Sequence, residues 1–483
     1  MVVQHNLRAM NSNRMLGVTQ GAQAKSSEKL SSGYKINRGA DDAAGLAISE
    51  KMRKQIRGLS QASTNAEDGI SAVQTAEGAL NEVHDMLQRM NELAVKAANG
   101  TNSMSDRQAI QNEVDQLVTE IDRVSETTKF NETYLLSGGP ATTKVYMQGH
   151  DAGLKGTLVD MAKKATFTLA AKSITVGATI NIGGKNYIIG TMAATATKQA
   201  DYLKSKLVTG LTVKIDSKNY SLVSDYGAYA NKKTLANAAG VYTVSDAKAN
   251  LVSAYSTVVV NGVTFKGISS ITSGTDKMGI DDSNSTIITI GRAVKLITAA
   301  LKAANLIGVD KTESVKVTCN VTNVTAAAMD SSKTISFSID KGYAETQEAL
   351  NFALHVGADA DMTNKIGVDI NTMDAKGLGI RGLSVLDNTG AAATYAIDSI
   401  ADALQKVSDQ RAALGAVQNR LEHTIKNLDN VVENTTSAES TIRDTDMASE
   451  MVQFSKNNIL QQAGQSMLAQ ANQSNQGVLS LLG

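Results

Sequence analysis

Between residues 72 and 97 (AVQTAEGALNEVHDMLQRMNELAVKA) apolar or small side chains recur at Val73, Ala76, Leu80, Val83, Leu87, Met90, Ala94 and Ala97. The steps alternate three and four for more than three heptads, which predicts a helix with one continuous seam packed on other helices. Glu77, Asn81, Glu82, Asp85, Gln88, Arg89 and Glu92 fall between the seam positions. The repeat returns at Ile110, Val114, Leu117, Ile121 and Val124. It returns again at Ile397, Ile400, Leu404, Val407, Leu414, Val417, Leu421, Ile425, Leu428 and Val432, with Arg411 in one seam position. Asn99-Gly100-Thr101-Asn102 separates the first two segments, so they predict an antiparallel helical hairpin.

The first helix extends upstream. Gly33, Asn37, Gly39 and Asp41-Asp42 supply turn and N-cap chemistry, and from Asp42 to Ala98 a continuous helix would reach roughly 85 Å at 1.5 Å per residue. The chain ends read differently. Residues 1–34 carry Val3, Leu7, Met10, Leu16, Ala22 and Leu30 among many Asn, Gln and Ser, and the last forty residues are a Gln/Asn-rich amphipathic stretch ending Val478-Leu479-Ser480-Leu481-Leu482. Their apolar faces are too thin to hold an isolated helix, so each is expected to order against a partner.

After Ser137-Gly138-Gly139-Pro140 the texture becomes rich in Thr, Ser, Gly, Val and Ile with β alternation. INIGGKNYIIG (180–190), VKIDSKNYSLV (213–223) and VVVNGVTFKGI (258–268) each read as strand, two-residue turn, strand, and RAVKLITAALKAA (292–304) as an amphipathic helix. A further hairpin is expected from Leu354–Gly357 and Ile366–Ile370 around ADADMTNK. The fold class is therefore mainly α at the termini, a long antiparallel coiled-coil bundle built from both chain ends, with a β-rich α+β central insert. The expected zones are terminal helices over 1–41 and 445–483, a heptad bundle with a β-hairpin over 42–147 and 345–444, and an insert of one or two small α+β domains over 148–344. Paired thin helices still leave apolar faces open, which favours self-assembly around an axis.

Composition narrows the function. Forty-seven basic and 47 acidic residues cancel, which argues against a nucleic-acid or polybasic membrane surface. One cysteine, Cys319, excludes an intrachain disulfide and a multi-cysteine metal site. No apolar run is long enough for a membrane span, and the N-terminal stretch lacks a signal-peptide core; alone, these features suggest a cytoplasmic protein. A single proline and 4% aromatic residues suit long close-packed helices rather than a deep catalytic pocket. The five histidines, His5, His84, His150, His355 and His423, are dispersed; there is no HExxH helix and no P-loop, so neither enzyme nor cofactor is expected. Cys319, within VKVTCNVTNV, reads as a small core residue.

Five long motifs carry a family resemblance: KLSSGYKINRGADDAAGLAISEKMR (29–53), QRMNELAVKAANGT (88–101), IQNEVDQL (110–117), RAALGAVQNRLEHTI (411–425) and STIRDTDMASEMVQFSKNNILQQAGQSMLAQANQ (440–473), followed by VLSLLG. They cover both ends in order, and the chain resembles bacterial flagellin, the filament protein, with local details closer to those of Gram-positive bacteria. The resemblance implies export through the flagellar type III apparatus, and so an extracellular location that replaces the cytoplasmic expectation. It also implies a homopolymeric helical filament, an export chaperone on the C-terminal helix, and filament cap and hook-junction partners. Val3, Leu7, Met10, Met451, Ile459, Leu468, Leu479, Leu481 and Leu482 would then belong to the polymerisation core. Gln88, Arg89, Glu92, Leu93 and Glu113 match the family's patch for the innate receptor Toll-like receptor 5, which overlaps its subunit-packing surface. Leu93 is expected on the exposed face as an apolar anchor beside Arg89. Arg443, Asp444, Asp446 and Glu450 are expected to cap the C-terminal helix or to bridge subunits, with Asp444 favourable to the helix dipole. A hook–filament junction protein shares the terminal motifs and is the alternative.

Overall fold

The computed structural model describes residues 6–170, 173–174, 178–190, 212–215, 218–223, 241–243, 257–260, 263–266, 285–320 and 335–479. The chain forms two compact units: Met1–Val73 with Phe352–Val368 and Ala416–Gly483, and Gln74–Asn351 with Asp369–Gly415. Two long helices, α2 (Ala43–Ala98) and α6 (Ala391–Arg443), run through both.

In the first unit α1 (Leu7–Ser32) packs along α7 (Met447–Leu479). Local chemistry sets their ends. The Asn6 side chain accepts from the Ala9 N–H to start α1, and Gly33, at φ 77°, closes it in a left-handed conformation open to glycine. Asp446 Oδ1 accepts from Ala448 N–H at 2.9 Å and Ser449 N–H at 3.1 Å to start α7. Between these helices and the long pair the two chain ends join. Lys35 N–H donates to Arg443 O at 2.8 Å and Thr445 N–H to Gly33 O at 2.9 Å. Farther along, the hairpin of β17 (Leu350–His355) and β18 (Lys365–Ile370) packs Val356 and Ile366 with Ala66 of α2 and Leu421 of α6. Gly58 and Gly69 make this approach possible. A Cβ on Gly58 would sit 3.0 Å from Ala358 Cβ, and one on Gly69 would collide with Leu354.

In the second unit α2 meets α3 (Met104–Thr127), which opens on a reciprocal capping box between Ser103 and Asp106. The heptad seam is buried as its spacing requires: Leu80, Val83, Leu87 and Met90 are fully enclosed. The strands β3 (Thr142–Tyr146) and β16 (Tyr343–Gln347) pair antiparallel, Tyr146 opposite Tyr343, so the insert leaves and returns through neighbouring strands. Two-residue strands β1 (Lys129–Phe130) and β2 (Thr133–Tyr134) precede them. Within the insert β4 (Gly156–Asp160), β5 (Lys164–Leu169), β14 (Lys316–Cys319) and β15 (Ser336–Asp340) form a sheet in the order β14-β15-β5-β4. Phe167 and Phe337 face each other across β5 and β15, ring centroids 6.4 Å apart, at the centre of its core. The helix α4 (Ile290–Ala304), capped by Thr289, adds Ala293, Ile297 and Leu301 to the same core.

The predicted hairpins are present. β6 (Thr179–Ile182) pairs with β7 (Lys185–Gly190) across Gly183-Gly184, both at positive φ as a tight primed turn demands. β8 (Thr212–Ile215) pairs with β9 (Lys218–Val223), and β11 (Thr257–Val260) with β12 (Val263–Lys266); their turns lie outside the described residues. Pairings between distant segments were not legible locally: β10 (Val241–Thr243) runs parallel to β9, and β13 (Ile287–Thr289) parallel to β7. Cys319 is half-buried opposite Phe337 at the edge of the insert core. A one-turn helix α5 (Ala375–Leu378), capped by Asp374, lies between β18 and α6.

Candidate assembly and recognition surfaces

On α2 the residues matched to the receptor patch fall into two groups. Arg89 is half-exposed and joins the two helices: its guanidinium donates to Glu113 Oε1 of α3 at 2.8–2.9 Å and to Glu92 Oε2 at 3.1 Å. These hydrogen bonds, Glu113 first and then Glu92, hold the guanidinium above its ordinary value, so it is a fixed positive charge between two exposed carboxylates. Gln88 is exposed and its amide nitrogen lies 2.8 Å from His84 Nε2. Leu93 corrects the expectation. It is 2% exposed, inside the bundle rather than on the face beside Arg89. A helix with one partner buries two positions per heptad; α2 has two, α3 through Arg89–Glu113 and α6 through Glu77–Arg411, so a third position is covered.

The terminal helices present the opposite surface. Although α1 and α7 pack together, Leu7 is 68% exposed, Val452 69% and Ile459 67%, and Met10 and Met451 are also exposed; Leu468 is half-buried. Met451, Val452, Ser455, Lys456 and Ile459 line a shallow open groove on α7. Val3, Leu481 and Leu482 lie outside the described residues, as does the side chain of Leu479. The acidic cluster before α7 divides its roles differently from the expectation. Asp446 caps α7, whereas Asp444, one residue past the end of α6, points back and accepts from the Ser440 hydroxyl, because its own N–H still donates to Ser440 O at 2.8 Å. Glu450 reaches Lys29 at 3.8 Å. Arg443 pairs with Glu50 at 2.6 Å, holding that carboxyl below its usual range, and stacks over Tyr34, which Arg53 also flanks.

Two family descriptions match: the bacterial flagellin N-terminal helical region over residues 3–140 and the C-terminal helical region over 397–482. A flagellin of Clostridium tyrobutyricum is 40% identical, the alignment covering 99% of this chain and 100% of that one. The flagellin of Bacillus subtilis is 34% identical and the flagellar filament 31.3 kDa core protein of Treponema maltophilum 32% identical, each with 100% of both chains covered. The chain belongs to the flagellin family.

This flagellin is accordingly a structural subunit of a self-assembling flagellar filament, exported to the cell exterior, and not an enzyme. The match across the whole chain does not favour the hook-junction alternative. Among the described residues no helix is long and apolar enough to cross a membrane, and no group of three or more His, Cys, Asp or Glu could hold a metal.

The bundle of this flagellin is also fastened by buried polar groups. Arg107, 3% exposed, donates to Ala97 O at 2.9 Å, Asn99 O at 3.2 Å and Asp387 O at 2.7 Å, tying the end of α2 to the segment before α6. The Asp387 carboxylate then caps α6 through the N–H groups of Gly390, Ala391 and Ala392. Burial lifts its carboxyl, but the Thr389 hydroxyl and those N–H groups outweigh burial and hold it below the ordinary value. Gln111 accepts from Val385 N–H and donates to Leu383 O, fixing the extended chain between α5 and α6. Arg411, the charged seam position, is satisfied by Glu77 at 2.7 Å. Arg411 was visible as a break in its own heptad and Glu77 only as a position between seam residues; nothing in the sequence marks the burial of Arg107 and Gln111.

At the root of the insert His150 is clamped to Asn305 by two reciprocal hydrogen bonds and lies 3.7 Å from Asp402 of α6. Burial raises the carboxyls of Asp398 and Asp402 above the usual carboxylate value and lowers the Lys406 ammonium below the usual lysine value.

Proposed function

We propose that the three zones act at three radii of the filament. Residues 1–41 and 445–483 pack about the axis as its core, 42–147 and 345–444 form the surrounding shell, and 148–344 form the outer surface. The carrying observation is the row of exposed Leu7, Met10, Met451 and Ile459 on helices already packed against each other. Burying a side chain of this size is worth about 1.5–3 kcal/mol, and copies of the same helix pair can bury such faces jointly. Val3, Leu468, Leu479, Leu481 and Leu482 extend the same stripes in sequence. Before assembly those faces need cover, which supports passage through the type III apparatus in unfolded form with an export chaperone on the C-terminal helix. Delivery would be beneath a filament cap onto hook-junction proteins. The test uses the full chain carrying Met451→Ser and Ile459→Ser. Its thermal melt should stay within about 0.5 kcal/mol of the parent, while negative-stain microscopy shows no extension of filament seeds. Normal extension overturns the reading.

The exposed triad Arg89, Glu92 and Glu113, with Gln88 alongside, supports contact with the next subunit and with host Toll-like receptor 5. Leu93 then acts from beneath, holding the helix in place rather than touching the receptor. Arg89→Asp reverses the charge between two carboxylates, and receptor affinity should fall at least about tenfold. An unchanged dissociation constant removes Arg89 from the contact.

A further inference from the structure

A cavity of about 420 Å3 lies between the ribbon of β3 and β16 and the helix α6, with α5 at one end. That volume is in the range of small-molecule sites. Three of its polar side chains, Lys406, Thr346 and Gln410, keep a donor unused. Lys406 Nζ donates to Gly377 O at 3.0 Å and Leu378 O at 3.1 Å, which leaves its third hydrogen. No carboxylate among the described residues forms an ion pair with it. Thr346 is 3% exposed, lines the cavity, and its hydroxyl has no hydrogen-bond partner. Gln410, also buried, gives one amide hydrogen to Asp369 O at 2.9 Å and keeps the other. The remaining wall includes apolar Val145, Met373 and Leu378. Asp409, the one acidic residue in this lining, is exposed and its Oδ1 accepts from the Gln405 amide at 2.7 Å.

This set selects its ligand. The ammonium's hydrogen bonds go to two carbonyls, and the Asp402 charge acts on it only from beyond ion-pair distance, so its third hydrogen can take an anionic acceptor, while the buried Thr346 hydroxyl lacks a partner in the same lining. A phosphate would bring more negative charge than a single lysine balances. A neutral polar molecule would leave that third hydrogen without a charged acceptor, and the apolar wall calls for a hydrocarbon portion. We propose that this cavity binds a free short-chain aliphatic monocarboxylate, its carboxylate on Lys406 Nζ and the Thr346 hydroxyl and its tail against Val145, Met373 and Leu378.

The test titrates the full-length monomer with butyrate and with neutral butyramide, followed by saturation-transfer NMR. Butyrate should saturate with a dissociation constant on the order of 1 mM, and butyramide should bind at least about tenfold more weakly. Lys406→Met should abolish binding, and the isosteric Thr346→Val should weaken it about fivefold. Circular dichroism melts of both variants verify folding, and Thr346→Val alone carries the test if the lysine variant does not fold. Equal binding of butyramide, no saturation by about 50 mM, or an unchanged Thr346→Val overturns the proposal. A seeded filament separates the sources of carboxylate. Butyrate still bound in the filament supports the free ligand, and its exclusion there assigns the cavity to an acidic side chain of a neighbouring copy and overturns it.

Discussion

The middle of α2 and the pair formed by α1 and α7 are both helical, yet their apolar residues meet opposite fates. Leu80, Val83, Leu87 and Met90 are fully enclosed, while Leu7, Val452 and Ile459 are each about two-thirds exposed. The difference is the number of partners. The seam of α2 is covered on two sides within the chain, and ion pairs Glu77–Arg411 and Arg89–Glu113 align those contacts. Among the described residues each terminal helix has one close partner and turns the rest of its apolar surface outward. Helix content is thus no guide to stability in this chain: one region spends its apolar surface on folding, and the other keeps it for association.

The contrast breaks most directly at paired positions. Leu87→Ala leaves a cavity in a closed seam and should cost about 2–5 kcal/mol in urea unfolding of the monomer. Ile459→Ala should change that stability by less than about 0.5 kcal/mol, and equal losses at both sites would erase the distinction. A somewhat smaller effect is expected at the tip of the bundle. Arg107→Met removes three hydrogen bonds from a buried guanidinium and takes their side-chain partner from the Ala97 and Asp387 carbonyls, while Asn99 O keeps the Asn102 N–H, for a loss of about 3 kcal/mol in the same measurement. A neutral result there would mean that apolar packing alone holds α2 to the segment before α6.

The smallest effect is a slope with pH. Burial holds the Asp402 carboxyl above the usual value of 3.8 against the pull of His150 and Lys406. Between the two values the folded state binds more protons than the unfolded one, so this group's contribution grows as pH falls through the raised value and levels off below 3.8. Asp387 has the opposite sign: its depressed carboxyl contributes above the ordinary value, and that contribution is lost as pH falls through the depressed one. Asp402→Asn should therefore gain most over the parent near neutral pH and lose that advantage toward acid, as read from chemical denaturation across pH. A pH-independent difference would place the burial penalty elsewhere.

Much of the architecture was legible before any coordinates. The heptads, the Asn99–Asn102 break, the Gly183-Gly184 turn and the glycine after α1 act through neighbours a few residues away, and such signals survive in the linear chain. The terminal motifs identified the family for the same reason, because each is a contiguous run. Legibility stopped where an environment is assembled from distant segments. Leu93 has a period compatible with either side of α2, and only the second neighbouring helix places it inside. Arg107, Gln111 and Thr346 carry no local mark of burial; they are enclosed because segments hundreds of residues apart close over them. Periodicity records which way a side chain points along its own helix. How many surfaces meet it there is a property of the folded chain.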